Sequence, residues 1–188
     1  MNPNAGRGLT PAGAHLIKHF ESCKQKTAGG FKAYVCPAGV LSIGWGHTTI
    51  RGRKFTRSTV WTQAVCDQVF MEDMDFFVGQ VRRLVKVELT AYQFDAVASF
   101  CMNCGQGNLG SSTLLKKINA RDFDGAAKEF PKWNKGGGKV LSGLVRRRAS
   151  ESLLFQNIPD EDYDGKPDAI IRPMRVAMPH AVDLPRAA

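Results

Sequence analysis

The chain has 188 residues, 43% hydrophobic and 23% charged, a composition typical of one globular domain or of one domain with two lobes. No run of ~18 apolar residues occurs, so the sequence predicts no transmembrane helix and no stable membrane insertion. A formal net charge of +9 favours a polyanionic partner, but no basic recognition helix or base-stacking platform accompanies it, and this argues against nucleic acid.

The two ends of the chain differ in composition from its middle. Residues 1–9 lack the apolar core of a signal peptide, so we expect an N-terminal arm and a protein that stays in the cytoplasm. Residues 156–188 are acidic and rich in proline, and they predict an extended C-terminal arm. Part of this arm would dock through Ile170, Ile171 and Val176, or else the arm is disordered.

Five cysteines, an odd number, favour reduced thiols over a disulfide framework. Cys101 and Cys104 form a C-x-x-C inside an apolar helical pattern, which indicates packing rather than zinc binding or redox chemistry. His15 and His19 are four residues apart on a helix, but they lack the glutamate and the third ligand of a metalloprotease. The sequence therefore predicts no metal and no cofactor.

The first predicted elements form a small lobe over residues 10–60. Thr10 and Pro11 begin a helix, because a hydroxyl N-cap precedes proline at the first helical position. This helix ends at Glu21. From Phe31 the apolar period shortens towards two, and a turn at residues 37–39 predicts a β-hairpin.

The chain from about residue 61 to residue 155 is predicted to be helical. Helix starts are indicated at Thr62, at the Thr90–Gln93 capping box, at Ser111 or Ser112, at Asp122 and at Ser142. A hairpin lobe joined to a larger helical lobe predicts an α+β fold, with the ligand cleft between the two lobes.

Three separated segments, in this order, carry a resemblance to a known family. They are FESCKQKTAGGFKAYVCPAGVLSIGWGHTT, LTAYQFDAVASFCMNCGQGNLGSSTLLKKIN and FPKWNKGGGKVLSGLVRRRASESLLF. Together they resemble the bacteriophage-type lysozymes, the endolysins of glycoside hydrolase family 24, over residues 10–155. The resemblance implies a lysozyme-like fold and a monomer that cleaves the β-1,4 bond between N-acetylmuramic acid and N-acetylglucosamine in peptidoglycan. It also implies dependence on a holin-type membrane lesion.

The resemblance also assigns candidate site residues. Glu21 stands at the general acid, Cys36 stands where the family commonly has aspartate, and Ser42 stands at the family's threonine, six residues after Cys36. The gap from Glu21 to Cys36 is six residues longer than the shortest family pattern. Candidate substrate-binding residues are Tyr34, His47, Asn103, Arg146 and Arg147.

The second acid of a glycosidase is missing from this pattern. Glycosidic cleavage usually employs two carboxylates, yet no aspartate or glutamate lies between Ser22 and Cys66. The Cys36 thiol and Ser42 could orient water, a Cys36 thiolate could attack the sugar, or Glu21 could act alone in a lytic transglycosylase. A degenerate site in a non-enzymatic, cationic wall-binding protein is the remaining alternative.

Overall fold

The computed structural model describes residues 2–36, 39–48 and 53–168. The predicted docking residues Ile170, Ile171 and Val176 lie outside these ranges. Among the described helices, none has the length and apolarity needed to cross a bilayer.

The described residues contain seven α-helices and one 3₁₀ turn at Phe130–Lys132. The helices are α1 (Pro11–Glu21), α2 (Gln63–Leu84), α3 (Ala91–Cys104), α4 (Gln106–Ser111), α5 (Thr113–Asn119), α6 (Phe123–Ala127) and α7 (Ser142–Phe155).

Side-chain caps fix most of the helix starts, as predicted. Thr62 accepts from the Val65 N–H, and Thr90 and Gln93 form both bonds of the capping box. Ser112 and Asp122 cap α5 and α6 in the same way. The sequence did not predict the short helix α4, because it has six residues, two of which are glycine.

Two small antiparallel sheets stand where the sequence predicts one hairpin. The first has the order β1 (Lys26–Thr27), β2 (Gly30–Lys32), β6 (Val60–Trp61). The second has the order β3 (Tyr34–Val35), β4 (Leu41–Ile43), β5 (His47–Thr48). Strands of two or three residues are too short to give a periodic signal.

A third pair of strands, β7 (Lys135–Gly136) and β8 (Lys139–Val140), lies in the helical lobe and was also not predicted. Gly137 and Gly138 connect them with φ of 56° and 79°. Two successive positive φ angles are the conformation of a type I′ hairpin turn, which glycine adopts without strain.

Separate hydrophobic cores stabilise the two lobes. The small core packs Phe31, Ile43 and Trp61 against the first turns of α2, and the large core surrounds α3. Because α2 contributes Cys66 and Val69 to one core and Phe70 to Val81 to the other, it connects the lobes. This α+β, two-lobed arrangement confirms the predicted fold class.

The described parts of both predicted arms pack against the domain. Asn4 is buried, and its side chain donates to the Val87 carbonyl at 2.7 Å. At the other end, the Tyr163 ring lies against α1, with its centroid 4.9 Å from that of His19.

Candidate active site

A cleft of about 290 Å³ opens between the lobes. Both lobes contribute to its walls, as expected for a site that grips a chain between two halves of a domain. The lining residues are Glu21, Gly46, Thr48, Asp73, Phe77, Met102 and Asn103.

Glu21 is the last residue of α1, and its side chain is 21% exposed. Its Oε1 accepts from Arg147 Nη1 at 2.5 Å. Its Oε2 lies 3.1 Å from the point that a Cβ at Gly46 would occupy. Gly46 has a φ of 89°, so glycine is required there both by its backbone and by the nearness of the carboxylate. Arg147 therefore holds Oε1 of Glu21, whereas Oε2 lies beside Gly46 in the wall of the cleft.

A buried network of charges fixes Arg147. Its Nε donates to Glu151 Oε1 at 3.2 Å, and the same oxygen accepts from Ser99 Oγ and Arg148 Nη2. Burial lowers the pKa of Arg147, but the negative charges of Glu21 and Glu151 raise it by more. The pKa of Arg147 therefore lies above its ordinary value. Arg147 thus remains positively charged beside Glu21.

The β3–β4–β5 sheet carries the other predicted catalytic residues, but neither Cys36 nor Ser42 is among the described residues that line the cleft. Ser42 pairs with Tyr34 on one side and with Thr48 on the other, so these three side chains share a face, and Thr48 lines the cleft. Burial raises the pKa of Tyr34, and the negative charges of Glu21 and Cys36 raise it further.

Cys36 and Ser42 differ in their exposure. Cys36 is half-buried just after β3, and its N–H donates to the Val40 carbonyl at 2.9 Å. Ser42 is 4% exposed, and its Oγ donates to the same carbonyl at 3.3 Å. The Val40 carbonyl thus anchors both residues of the hairpin.

His47 is buried and its ring is held on both sides. Nδ1 lies 2.8 Å from Asp73 Oδ2, and Nε2 lies 2.9 Å from the Arg53 carbonyl. Both ring nitrogens are therefore engaged within the protein, an arrangement that stabilises the small lobe on α2 rather than one that offers a group to a sugar.

The His47–Asp73 pair predicts a pH dependence of stability. Burial lowers the pKa of His47, but Asp73 raises it more, and the pKa lies above its ordinary value. The stabilisation is then fully present below the unfolded pKa of about 6.5 and is lost as pH rises through the folded pKa. We expect Asp73→Asn to lower the unfolding free energy by about 3 kcal/mol at pH 5.5, and by less at pH 8.5. Urea unfolding at both pH values measures this, and an equal loss at both would contradict it.

The remaining predicted residues occupy different surroundings. Asn103 lines the cleft, and its Oδ1 accepts from Arg148 Nη2 at 2.9 Å. Arg147 contacts Glu21, whereas Arg146 is exposed on α7 and is not among the residues that line the cleft.

Sequence reasoning missed Asp73 and Glu151. Asp73 is a second carboxylate on the cleft wall, 26 residues after the histidine that it binds. Glu151 is completely buried among two arginines and a serine. The R-R-R-A-S-E stretch held the signal for Glu151, since residues three and four apart on a helix are neighbours.

Comparisons with known proteins agree with the family predicted from the sequence. A family model described as "Phage lysozyme" matches residues 18–151. An endolysin of Bacillus phage B103 is 43% identical over 147 residues, which is 78% of this chain and 53% of that protein.

Two solved structures extend the agreement to the fold. The muramidase domain of SpmX from Asticaccaulis excentricus is 36% identical, with a TM-score of 0.66 over 79% of this chain and 97% of that one. An endolysin from Escherichia coli O157:H7 phage FAHEc1 is 30% identical, with a TM-score of 0.71 over 80% of this chain and 94% of that one. The predicted lysozyme-like fold is thereby confirmed. The chain nevertheless spans only about half the length of the Bacillus phage endolysin.

Proposed function

Because the chain belongs to the phage lysozyme family, we propose that it is an endolysin that hydrolyses the β-1,4 bond between N-acetylmuramic acid and N-acetylglucosamine in peptidoglycan. The observation that carries this proposal is the position of Glu21. Its carboxylate lies at the junction of the two lobes, largely removed from water, held at one oxygen by Arg147 and open to the cleft at the other.

In the proposed mechanism Glu21 protonates the oxygen of the departing sugar. Proton delivery falls to Oε2, because Arg147 engages Oε1. The transition state resembles an oxocarbenium ion, and water must reach it from the face opposite the leaving group. Arg147 orients the acid through a charge-assisted hydrogen bond and does not itself touch the sugar.

The hairpin that contains Cys36 and Ser42 is proposed to direct the attack of water on the sugar. Cys36 and Ser42 would orient the attacking water, because Cys36 follows β3 and Ser42 lies in β4 of the sheet whose strand β5 contributes Thr48 to the cleft wall. A thiol is a poor base near neutral pH, but positioning a water molecule depends mainly on geometry. Tyr34 and Asn103 are proposed to contact the sugar chain from the two walls.

Cys36→Asp is expected to retain or raise the activity. A carboxylate at position 36 would accept a proton from the attacking water and stabilise the developing positive charge. The rate of release of soluble fragments from purified peptidoglycan measures the effect, with Cys36→Ser as the matched variant that restores no charge. An inactive Cys36→Asp protein with unchanged thermal unfolding would indicate that the thiol has a chemistry of its own.

The cysteine at position 36 also favours a second candidate, a lytic transglycosylase on the same bond. In that reaction a hydroxyl of the muramic acid itself replaces water, so no base has to activate a water molecule. Asp73 is the other carboxylate that lines the cleft among the described residues, but its Oδ2 is bound to His47.

A turbidity assay separates an enzyme from a binding protein. An enzyme clears a suspension of purified peptidoglycan and releases soluble muropeptides. A cationic wall-binding protein sediments with the peptidoglycan and releases nothing, and this outcome would overturn the proposed function.

The cellular setting is part of the same proposal. The basic charge would concentrate a monomeric enzyme on an anionic wall, without a nucleic-acid partner. The enzyme would reach the wall from the host cytoplasm after a holin-type lesion permeabilises the membrane.

A further inference from the structure

Three carboxylates come together in the segment that follows α7. One oxygen from each of Asp160, Asp162 and Asp164 lies within 4.8 Å of the other two. Asp162 is exposed, and the side chain of Asp164 is 40% exposed, as is common for acidic residues that bind nothing. Asp160 differs, because only 8% of its surface is exposed.

The Asp160 carboxylate is buried without a hydrogen-bond partner. Neither Oδ1 nor Oδ2 has a partner among the described residues. The Ser150 hydroxyl and the Gly165 N–H lie beside it without reaching hydrogen-bonding geometry. Buried carboxylates in proteins are almost always paired, hydrogen-bonded or bound to metal. The two neighbouring aspartates add negative charge, so a cation is the partner that would satisfy all three carboxylates.

The donor set and its spacing fit calcium. All three side chains offer oxygen, and oxygens within 4.8 Å of one another can share one ion at a distance of about 2.4 Å. Alternate aspartates are followed by Gly165, whose φ of 83° allows the chain to turn sharply. Ca²⁺ accepts irregular oxygen ligation, whereas Mg²⁺ requires a near-octahedral set at shorter distances and zinc favours nitrogen or sulfur.

We propose that residues 160–168 form a calcium-binding loop in which Asp160, Asp162 and Asp164 are the carboxylate ligands. The Lys166 carbonyl and Asp168 would continue this pattern of one ligand at every second residue. Asp168 also closes the loop, because its Oδ2 accepts from the Glu161 N–H at 2.9 Å. This proposal departs from the sequence analysis, which predicted no metal.

Two features make the loop a weak rather than a tight site. Lys166 Nζ lies 3.0 Å from Asp164 Oδ2, and calcium would have to displace it. Position 171 is isoleucine, although a calcium loop of this spacing commonly has a bidentate glutamate there. We therefore expect a dissociation constant of about 10⁻⁴–10⁻³ M, the range of extracellular calcium modules.

Calcium at this position would fasten the C-terminal segment to the catalytic domain. Tyr163, between two of the ligands, packs its ring on His15 and His19 of α1, the helix that ends at Glu21. Gly165 lies against Ala149 of α7. The loop is outside the cleft, so the ion would stabilise the domain without taking part in the cleavage.

Thermal unfolding of the full chain tests the proposal without reference to activity. After dialysis against a chelator, CaCl₂ at 10 mM is expected to raise the melting temperature by about 3–8 °C. The same concentration of MgCl₂, which matches the ionic strength, is expected to give less than a third of this shift. Isothermal titration with CaCl₂ should show one site in the stated affinity range. Equal shifts with the two salts, or no binding heat, would overturn the proposal.

Matched variants locate the site. Asp160→Asn and Asp162→Asn are each expected to abolish the calcium-specific shift, whereas Asp75→Asn, on the exposed face of α2, should keep it. If the buried Asp160→Asn variant fails to fold, the exposed Asp162→Asn variant decides. A full calcium shift in Asp162→Asn would contradict the assigned ligands.

Discussion

Replacing Glu21 with glutamine is expected to slow the release of muropeptides from purified peptidoglycan by about 10²–10⁴-fold, the contribution typical of a general acid. Glutamine keeps the shape of the side chain and an oxygen that can accept from Arg147, but it has no proton to donate. The measurement is the initial rate of release at saturating peptidoglycan. Thermal unfolding of the same sample shows whether the variant is folded.

Glu88→Gln is the control for this substitution. Glu88 has a side chain that is 71% exposed and is 3.9 Å from Arg7, so its loss changes charge without touching the cleft. Its rate should equal that of the wild type. A Glu21→Gln protein that is folded and retains more than a tenth of the rate would remove Glu21 from the role of acid.

Replacing Glu151 with glutamine is expected to lower the free energy of unfolding by about 3–5 kcal/mol. The single oxygen Oε1 accepts from Ser99, Arg147 and Arg148, and the side chain of Glu151 has no exposed surface. Without its charge, two buried guanidiniums lose a counter-ion. The melting temperature should fall by roughly 6–20 °C, measured by differential scanning calorimetry.

The Glu88→Gln variant again supplies the comparison, since an exposed substitution usually changes stability by less than about 0.5 kcal/mol. Activity gives a second readout, because Arg147 donates hydrogen bonds both to Glu151 and to Glu21, so the loss of the Glu151 charge also affects the position of Glu21. At a temperature where Glu151→Gln is folded, we expect its rate to fall as well. A stability within 1 kcal/mol of the wild type would show that water or neighbouring groups compensate the arginines.

Local chemistry explains which elements were predictable. A hydroxyl or carboxylate N-cap acts on its own helix within three residues, so Thr62, Thr90 and Asp122 were identified from sequence. Strand pairs such as Phe31 with Trp61 join residues 30 positions apart, and no local pattern marks them. The pairing of β2 with β6 in the first sheet was not predicted for that reason.

The same distinction applies to the candidate site. Glu21 could be located because its position at a helix end is local and the flanking motif is specific. Arg146 and Arg147 could not be separated, because adjacent helical residues point about 100° apart and only the neighbouring helices decide which is buried. The structure turns Arg147 towards Glu21 and Arg146 towards solvent. Asp73 was not predicted because its hydrogen-bond partner, His47, lies in another element.

The chemistry of the newly formed ends tests the proposed hydrolysis most directly. Mass spectrometry of muropeptides released from purified peptidoglycan distinguishes N-acetylmuramic acid with a reducing end from its 1,6-anhydro form. We expect reducing ends with the wild type and none above background with Glu21→Gln. Anhydro ends would contradict hydrolysis and would show that the sugar's own hydroxyl replaces the water assigned to Cys36 and Ser42.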